Sequence, residues 1–190
     1  MNHAKDACDE LVKRASDLGN APFVAFVQEP YVYNGSTVGL NSVGKVLFSN
    51  SKNDGNIRSC ILHSFNLNMW LIPDLSDGDL TIGAMKIDGT LTYFASFYLD
   101  INHSIADSSM VATLSEINKR KIPCLMSGDS NSHSTIWTSP LNNSRGDNFE
   151  DFIFENNLSV HNTGSTPTFY CSRAKTHIDV TFSNEFLTKI

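Results

Sequence analysis

The chain is poor in the residues that usually announce a structural metal, a disulfide framework or a membrane. Its four cysteines, Cys8, Cys60, Cys124 and Cys171, are spread so widely that no CxxC or CxxH pair exists. That excludes a zinc-finger spacing and predicts four reduced thiols in an intracellular protein. The six histidines form no HExxH or HxxxH pair. No apolar run approaches the ~20 residues of a membrane span, and Met1-Asn2-His3-Ala4-Lys5-Asp6 lacks the apolar core of a signal peptide. Positive charge is also scarce: 14 Lys and Arg against 20 Asp and Glu leave a net charge of −6. A protein that coats nucleic acid without specificity would be basic. The balance still suits an enzyme that gathers carboxylates around a cation and keeps a few basic residues for phosphates, with Lys119-Arg120-Lys121, Arg145 and Arg173-Ala174-Lys175 as candidates.

Repeats, low-complexity segments and linkers are absent too, so the 190 residues, 41% of them hydrophobic, read as one α/β domain spanning 1–190. Ala4, Ala7, Cys8, Leu11, Val12, Ala15 and Leu18 recur at helical spacing and stop at Gly19. A strand over Phe23–Gln28 follows. The middle is strand-rich, with strands predicted at Val43–Phe48, Ser59–His63, Asn68–Pro73, Leu80–Ile87 and Leu91–Leu99. Asp88-Gly89 joins the last two as a two-residue hairpin, because this pair tolerates the positive φ of a type I′ turn. A second helix is predicted at Ser108–Lys119 and a strand at Ile122–Asp129. A third helix is predicted at Asn148–Asn156, opened by Asp147 with Glu150 three residues on as a variant capping box. Short strands at Leu158–Asn162, Pro167–Tyr170 and Ile178–Phe182 close the chain. The simplest arrangement is two sheets packed face to face with helices outside.

The segment with most chemical content is Ile122-Pro123-Cys124-Leu125-Met126-Ser127-Gly128-Asp129-Ser130-Asn131. It reads as a strand covered on both faces that delivers an acid and an amide at its carboxyl end. Phe23-Val24-Ala25-Phe26-Val27 runs into Gln28-Glu29-Pro30 in the same way. Two buried strands each ending in an acid suggest a metal site at one rim of a sheet.

Six pieces occur in an order that resembles the endonuclease/exonuclease/phosphatase superfamily: Gln28-Glu29-Pro30-Tyr31, Ser96-Phe97-Tyr98, Gly128-Asp129-Ser130-Asn131-Ser132-His133-Ser134, Asn143-Ser144-Arg145-Gly146, Thr163-Gly164-Ser165-Thr166-Pro167-Thr168-Phe169 and Ile178-Asp179-Val180-Thr181. The wording is most similar to the apurinic-type endonuclease domain of non-LTR retrotransposons. The resemblance implies a four-layered, DNase I-like α/β sandwich of two mixed sheets. It implies hydrolysis of phosphodiesters with Mg2+ (Mn2+ as the variant), here as a DNA nickase that exposes a 3′-hydroxyl. It also implies DNA as substrate, a reverse transcriptase in the same polyprotein, no membrane partner, and a nuclear place of action. By position, Glu29 resembles the metal-ligand glutamate and Tyr98 the tyrosine that bonds the scissile phosphate. Asp129 resembles the carboxylate that positions or deprotonates the attacking water, and Asn131 the amide beside it. Asp179 resembles the aspartate that orients a terminal histidine. Thr168, with Arg173 and Lys175, stands for substrate or backbone contacts. His133, His161 and His177 read as structural.

Three departures shape the expectation. By the resemblance, the family's first-strand asparagine is expected upstream of Met1, with Asn2 near its place, and the terminal Ser-Asp-His segment is expected beyond Ile190. Ser130 stands where the family has an aromatic residue. Loss of positioned groups typically lowers a rate by ~10²–10⁴, so a domain lacking its first and last strands should be weak or inactive. The alternative is a non-catalytic remnant with residual DNA contact. A further reading takes Gly128-Asp129-Ser130 as the start of a GDSL-type esterase segment with Ser130 as nucleophile.

Overall fold

The amphipathic start of the chain becomes helix α1, Lys5–Asp17. Its stop is the one the sequence indicates: Gly19 sits at φ +59° and its N–H bonds the Ser16 carbonyl at 3.0 Å. In this computed structural model, residues 1–49, 57–164, 166–170 and 175–187 are described. The chain divides into two units, Met1–Tyr98 and Leu99–Ile190. The class is mixed α/β, as the sequence predicts.

In the first unit, β1 (Val24–Gln28) leads to a small hairpin of β2 (Val32–Tyr33) and β3 (Ser36–Thr37), then β4 (Lys45–Leu47) and β5 (Ser59–His63). β1 and β4 flank β5, both antiparallel to it. The remaining strands, β6 (Trp70–Leu71), β7 (Leu80–Ile87) and β8 (Thr90–Tyr98), form an antiparallel meander. Its β7–β8 turn is the predicted Asp88-Gly89, at φ +47° and +86°, as a type I′ turn requires.

Period-two alternation divides β5 between two layers. Cys60 and Leu62 join Cys8, Val27, Leu40 and Ile57 in a core that Leu11 and Val12 of α1 cover. Ser59 and Ile61 face the meander instead. Gly83 of β7 permits that approach, since a Cβ there would come within 2.9 Å of the Met69 sulfur and 3.1 Å of Leu47. Hydroxyls bind the layers at one end: Ser59 Oγ donates to the Ser96 carbonyl at 2.7 Å, Thr81 Oγ1 to the Ser59 carbonyl at 3.0 Å, and Gln28 Nε2 to Ser96 Oγ at 3.0 Å. Two sheets face to face with a helix outside are therefore present in this unit.

The second unit contains α2 (Ser109–Lys119), β9 (Cys124–Asp129), α3 (Ser144–Glu155), β10 (Ser159–Val160), β11 (Phe169–Tyr170), β12 (Lys175–Thr176) and β13 (Asp179–Ser183). β13 lies between β9 and β10, antiparallel to both, and β11 pairs with β12. Phe149 of α3 packs edge-on against Phe182 of β13 and Trp137, at ring-centroid separations of 6.0 and 5.7 Å.

Several sequence expectations are corrected here. β9 is not covered on both faces: Cys124, Met126 and Gly128 are buried, whereas Leu125, Ser127 and Asp129 are partly exposed. It is a half-buried antiparallel strand. α3 begins at Ser144 rather than Asn148, because Asn143 is the cap and its Oδ1 accepts the Gly146 N–H at 2.7 Å. Glu150 belongs to no capping box; it accepts from Ser134 Oγ and, at 3.1 Å, from Asn142. Only Trp70–Leu71 of the predicted Asn68–Pro73 is strand, and Pro73–Leu75 is a 3-10 turn. The β2–β3 hairpin is absent from the sequence reading, although Asn34-Gly35, at φ +49° and +72°, is a type I′ signal as strong as Asp88-Gly89. Cys8, Cys60 and Cys124 are free thiols and buried; Cys171 lies outside the described residues.

Candidate active-site residues in the two units

Glu29 follows directly on β1, held in a left-handed conformation (φ +49°) that a non-glycine residue seldom adopts. Its N–H donates to the Arg58 carbonyl at 2.8 Å and its carbonyl accepts from His3 at 2.9 Å, so the backbone on both sides is fixed. The carboxylate lies 3.8 Å from His3 Nε2.

Arg58 then links Glu29 to Tyr98. Its guanidinium lies 5.1 Å from the Tyr98 ring centroid, within cation–π range. The same group forms a two-pronged pair with Asp79, Nε to Oδ1 at 2.5 Å and Nη2 to Oδ2 at 2.6 Å. Asp79 is held in turn: its N–H donates to Asp77 Oδ1 at 2.8 Å and its carbonyl accepts the Tyr98 N–H at 2.8 Å. The first unit thus anchors the Glu29 backbone on the Arg58 carbonyl and the Tyr98 ring on the Arg58 guanidinium, a residue that sequence reasoning missed. No motif marks Arg58, since its partners are 21 and 40 residues away in the chain.

In the second unit Asp129, the last residue of β9, is the direct cross-strand partner of Asp179 on β13. Opposed positions place Cβ atoms about 4.5–5.5 Å apart, so the two predicted aspartates are neighbours across the ladder. Asp129 Oδ1 accepts the Asn131 N–H at 2.7 Å, an Asx turn that carries Asn131 into the left-handed region at φ +46°. The Asn131 amide donates to the Leu99 carbonyl at 3.1 Å, and the Leu99 N–H donates to the Asp129 carbonyl at 2.9 Å. Acid and amide are therefore held in one local frame.

Burial pushes the Asp179 carboxyl above the ordinary aspartate range, and a hydrogen bond from Thr168 partly offsets it. Thr168 Oγ1 also accepts the N–H groups of Ile178 and Asp179, each at 3.3 Å. Thr168 is thus a backbone contact that fixes Asp179. Lys175 is exposed on β12, and Arg173 lies outside the described residues. His177 is buried, its Nδ1 3.1 Å from Thr138 Oγ1, and His161 Nε2 lies 2.8 Å from Ser183 Oγ. Both fit the structural roles predicted for them.

The esterase reading fails on geometry. Ser130 is fully buried and its hydroxyl donates to the Ile178 carbonyl at 2.7 Å, while Ser132 Oγ donates to it at 2.8 Å. A serine nucleophile needs a neighbouring base and access to its ester, and a hydroxyl buried with its proton on a peptide carbonyl has neither.

Among the described residues, no group of three or more His, Cys, Asp or Glu side chains is gathered as a ready-made metal cage. The donors present are carboxylate oxygens. A hard divalent ion such as magnesium keeps several waters and takes one or two protein carboxylates plus substrate phosphate. Glu29, partly exposed on a rigid turn, fits that requirement.

Residues 92–190 match the sequence profile of the endonuclease-reverse transcriptase family. No curated protein matches. Among solved structures, the endonuclease domain of TRAS1, a telomere-specific non-LTR retrotransposon, is similar at 25% identity and a TM-score of 0.80, over 98% of this chain and 83% of that one. An endonuclease/exonuclease/phosphatase family protein from Leptotrichia buccalis matches in fold at 13% identity and a TM-score of 0.59, over 96% and 84% of the two chains. An AP endonuclease from Archaeoglobus fulgidus does so at 14% identity and a TM-score of 0.56, over 96% and 83%.

Proposed function

Because the chain belongs to the endonuclease-reverse transcriptase family, within the endonuclease/exonuclease/phosphatase superfamily, we propose that it hydrolyses phosphodiester bonds of DNA with the help of a divalent cation, as the nicking domain of a retrotransposon. The observation that carries the reading is the joint fixing of Asp129 and Asn131 through Leu99, with Asp179 directly across the ladder. A general base must sit within hydrogen-bond reach of the proton it removes, and a strand-end carboxylate locked against an amide supplies that arrangement.

Asp129 takes a proton from the attacking water as the new bond from water oxygen to phosphorus forms and the bond from phosphorus to the 3′ oxygen breaks. The departing 3′ oxygen takes a proton from solvent and leaves as a 3′-hydroxyl, and Asp129 returns the proton it removed to solvent. Asn131 has one N–H committed to Leu99; its second N–H and its carbonyl oxygen suit a phosphate oxygen or the water. Tyr98 donates its hydroxyl to the phosphate, its ring held by the Arg58 guanidinium. Glu29 is the residue to hold the cation, magnesium or manganese, which supplies positive charge for the phosphate oxygens. Asp179, seated by Thr168, is an acidic neighbour that shapes the field around Asp129. With a net charge of −6, grip on DNA rests on local cations such as Lys175 and Arg173 rather than on overall charge.

The test is conversion of supercoiled plasmid to the nicked circle at micromolar protein. The expected result is nicking that requires magnesium and stops with EDTA. Nicking that persists in EDTA, or none at any magnesium or manganese concentration, would contradict the proposal.

A further inference from the structure

Arg145 occupies the first turn of α3, where a cation opposes the positive end of the helix dipole. Its guanidinium is turned onto four backbone carbonyls: Nε donates to Ser130 at 3.2 Å, Nη1 to His103 at 2.7 Å, and Nη2 to Leu99 at 3.3 Å and Asp100 at 3.0 Å. The same Leu99 carbonyl accepts the Asn131 amide at 3.1 Å, and Ser130 is the residue between Asp129 and Asn131. One planar group therefore ties the loop after β9 to the segment 99–103, at the peptide that precedes Asn131 and at the Leu99 carbonyl that its amide bonds.

The start of α3 is anchored to make this possible. The Asn143 N–H donates to the His133 carbonyl at 3.0 Å, and Asn143 Oδ1 accepts the His133 N–H at 3.2 Å. Gly146 packs on the same carbonyl so closely that a Cβ would lie 2.6 Å from its carbon. Asn143, Arg145 and Gly146 thus act together on residues 130–133.

We infer that Arg145 is a positioning residue that holds Asn131, through the Leu99 and Ser130 carbonyls, in the orientation used for phosphodiester hydrolysis. The inference rests on the functional reading above. It also replaces the sequence expectation that Arg145 contacts phosphate, since its N–H groups point to protein carbonyls. Lysine cannot substitute, because a single ammonium lacks the planar fork that reaches four acceptors at once.

The experiment pairs Arg145→Lys, which keeps charge and most of the stem, with Arg145→Ala. The probe is the Asn131 side-chain NH2 signal in 15N NMR, assigned with Asn131→Asp, and the companion readout is plasmid nicking with magnesium. In Arg145→Lys the Asn131 NH2 protons should exchange ~10-fold faster or more. kcat should fall ~10²-fold with KM within about twofold, the scale of loss when a reacting group is displaced by ~1 Å. Millimolar guanidinium should restore part of the Arg145→Ala rate. Unchanged Asn131 signals in Arg145→Lys would overturn the inference, as would a rise in KM at constant kcat, which would make Arg145 a DNA contact. If the wild-type chain does not nick, the functional reading fails, and the Asn131 signal still decides whether Arg145 holds that amide.

Discussion

Gly146→Ala separates two effects of opposite sign. Gly146 lies in the first turn of α3, where helix propensity alone favours alanine by up to about 1 kcal/mol. The structure opposes it. A Cβ would overlap the His133 carbonyl oxygen, lie 2.6 Å from its carbon, and stand 3.2 Å from Asn143 Oδ1. The obstacle is backbone, so no rotamer change relieves it. Either α3 lifts, breaking the Asn143–His133 bonds, or residues 131–133 shift. Overpacking typically costs about 1–3 kcal/mol, and a clash with an immovable carbonyl belongs at the upper end, about 3 kcal/mol. The net is a destabilisation of about 2 kcal/mol, or a fall in Tm of roughly 4–8 °C for a chain of this size. Urea denaturation and thermal melting of both proteins provide the assay. A neutral or stabilised Gly146→Ala would refute the argument, since it would mean that α3 does not press on the His133 carbonyl.

Other substitutions test separate parts of the account. Asp179→Asn should raise the urea midpoint at neutral pH. A carboxyl whose folded-state pKa is raised by burial stabilises the fold at pH below its unfolded value, ~3.9, and loses that contribution as pH rises through the folded value. The advantage of the Asp179→Asn variant over wild type should therefore shrink as pH falls, and a constant advantage would remove burial as the cause. Ser130→Ala should cost about 2 kcal/mol, since it removes the hydrogen bond to the Ile178 carbonyl and the acceptor of the buried Ser132 hydroxyl, and leave measurable nicking, whereas complete loss of hydrolysis with an intact fold would revive a serine nucleophile. Cys60 and Cys124 should resist thiol reagents in the native protein, because burial pushes both thiols up, Cys124 to about 12; peptide mapping that finds either one labelled without denaturant would contradict their burial.

How much was legible in the sequence depended on how local each determinant was. α1 ends at Gly19 and the β7–β8 turn falls at Asp88-Gly89 because each depends on a few adjacent residues. The pairing of β9 with β13 could not be read, since Asp129 and Asp179 are 50 residues apart and neither carries a mark of the other. A continuous apolar run also could not show that β9 has one partly open face. α3 begins four residues early because Asn143 caps it, its Oδ1 accepting the Gly146 N–H, a local signal that competes with Asp147 and that the Asn143–His133 contacts reinforce. The candidate residues were proposed from motifs: the acid and amide of Asp129-Ser130-Asn131 stand out by strand-end position, and the structure places them in one local frame. Its supports did not, because Arg58 and Arg145 act on a distant ring and on peptide carbonyls, and carbonyls have no sequence signature.

The most direct test of the central claim compares plasmid nicking by the wild-type chain and Asp129→Asn in magnesium, with folding of both verified by their melting curves. Asparagine keeps the shape of the residue but cannot accept the proton of water. The account predicts a rate lower by ~10²–10⁴ with little change in DNA affinity. An unchanged nicking rate in Asp129→Asn would contradict it.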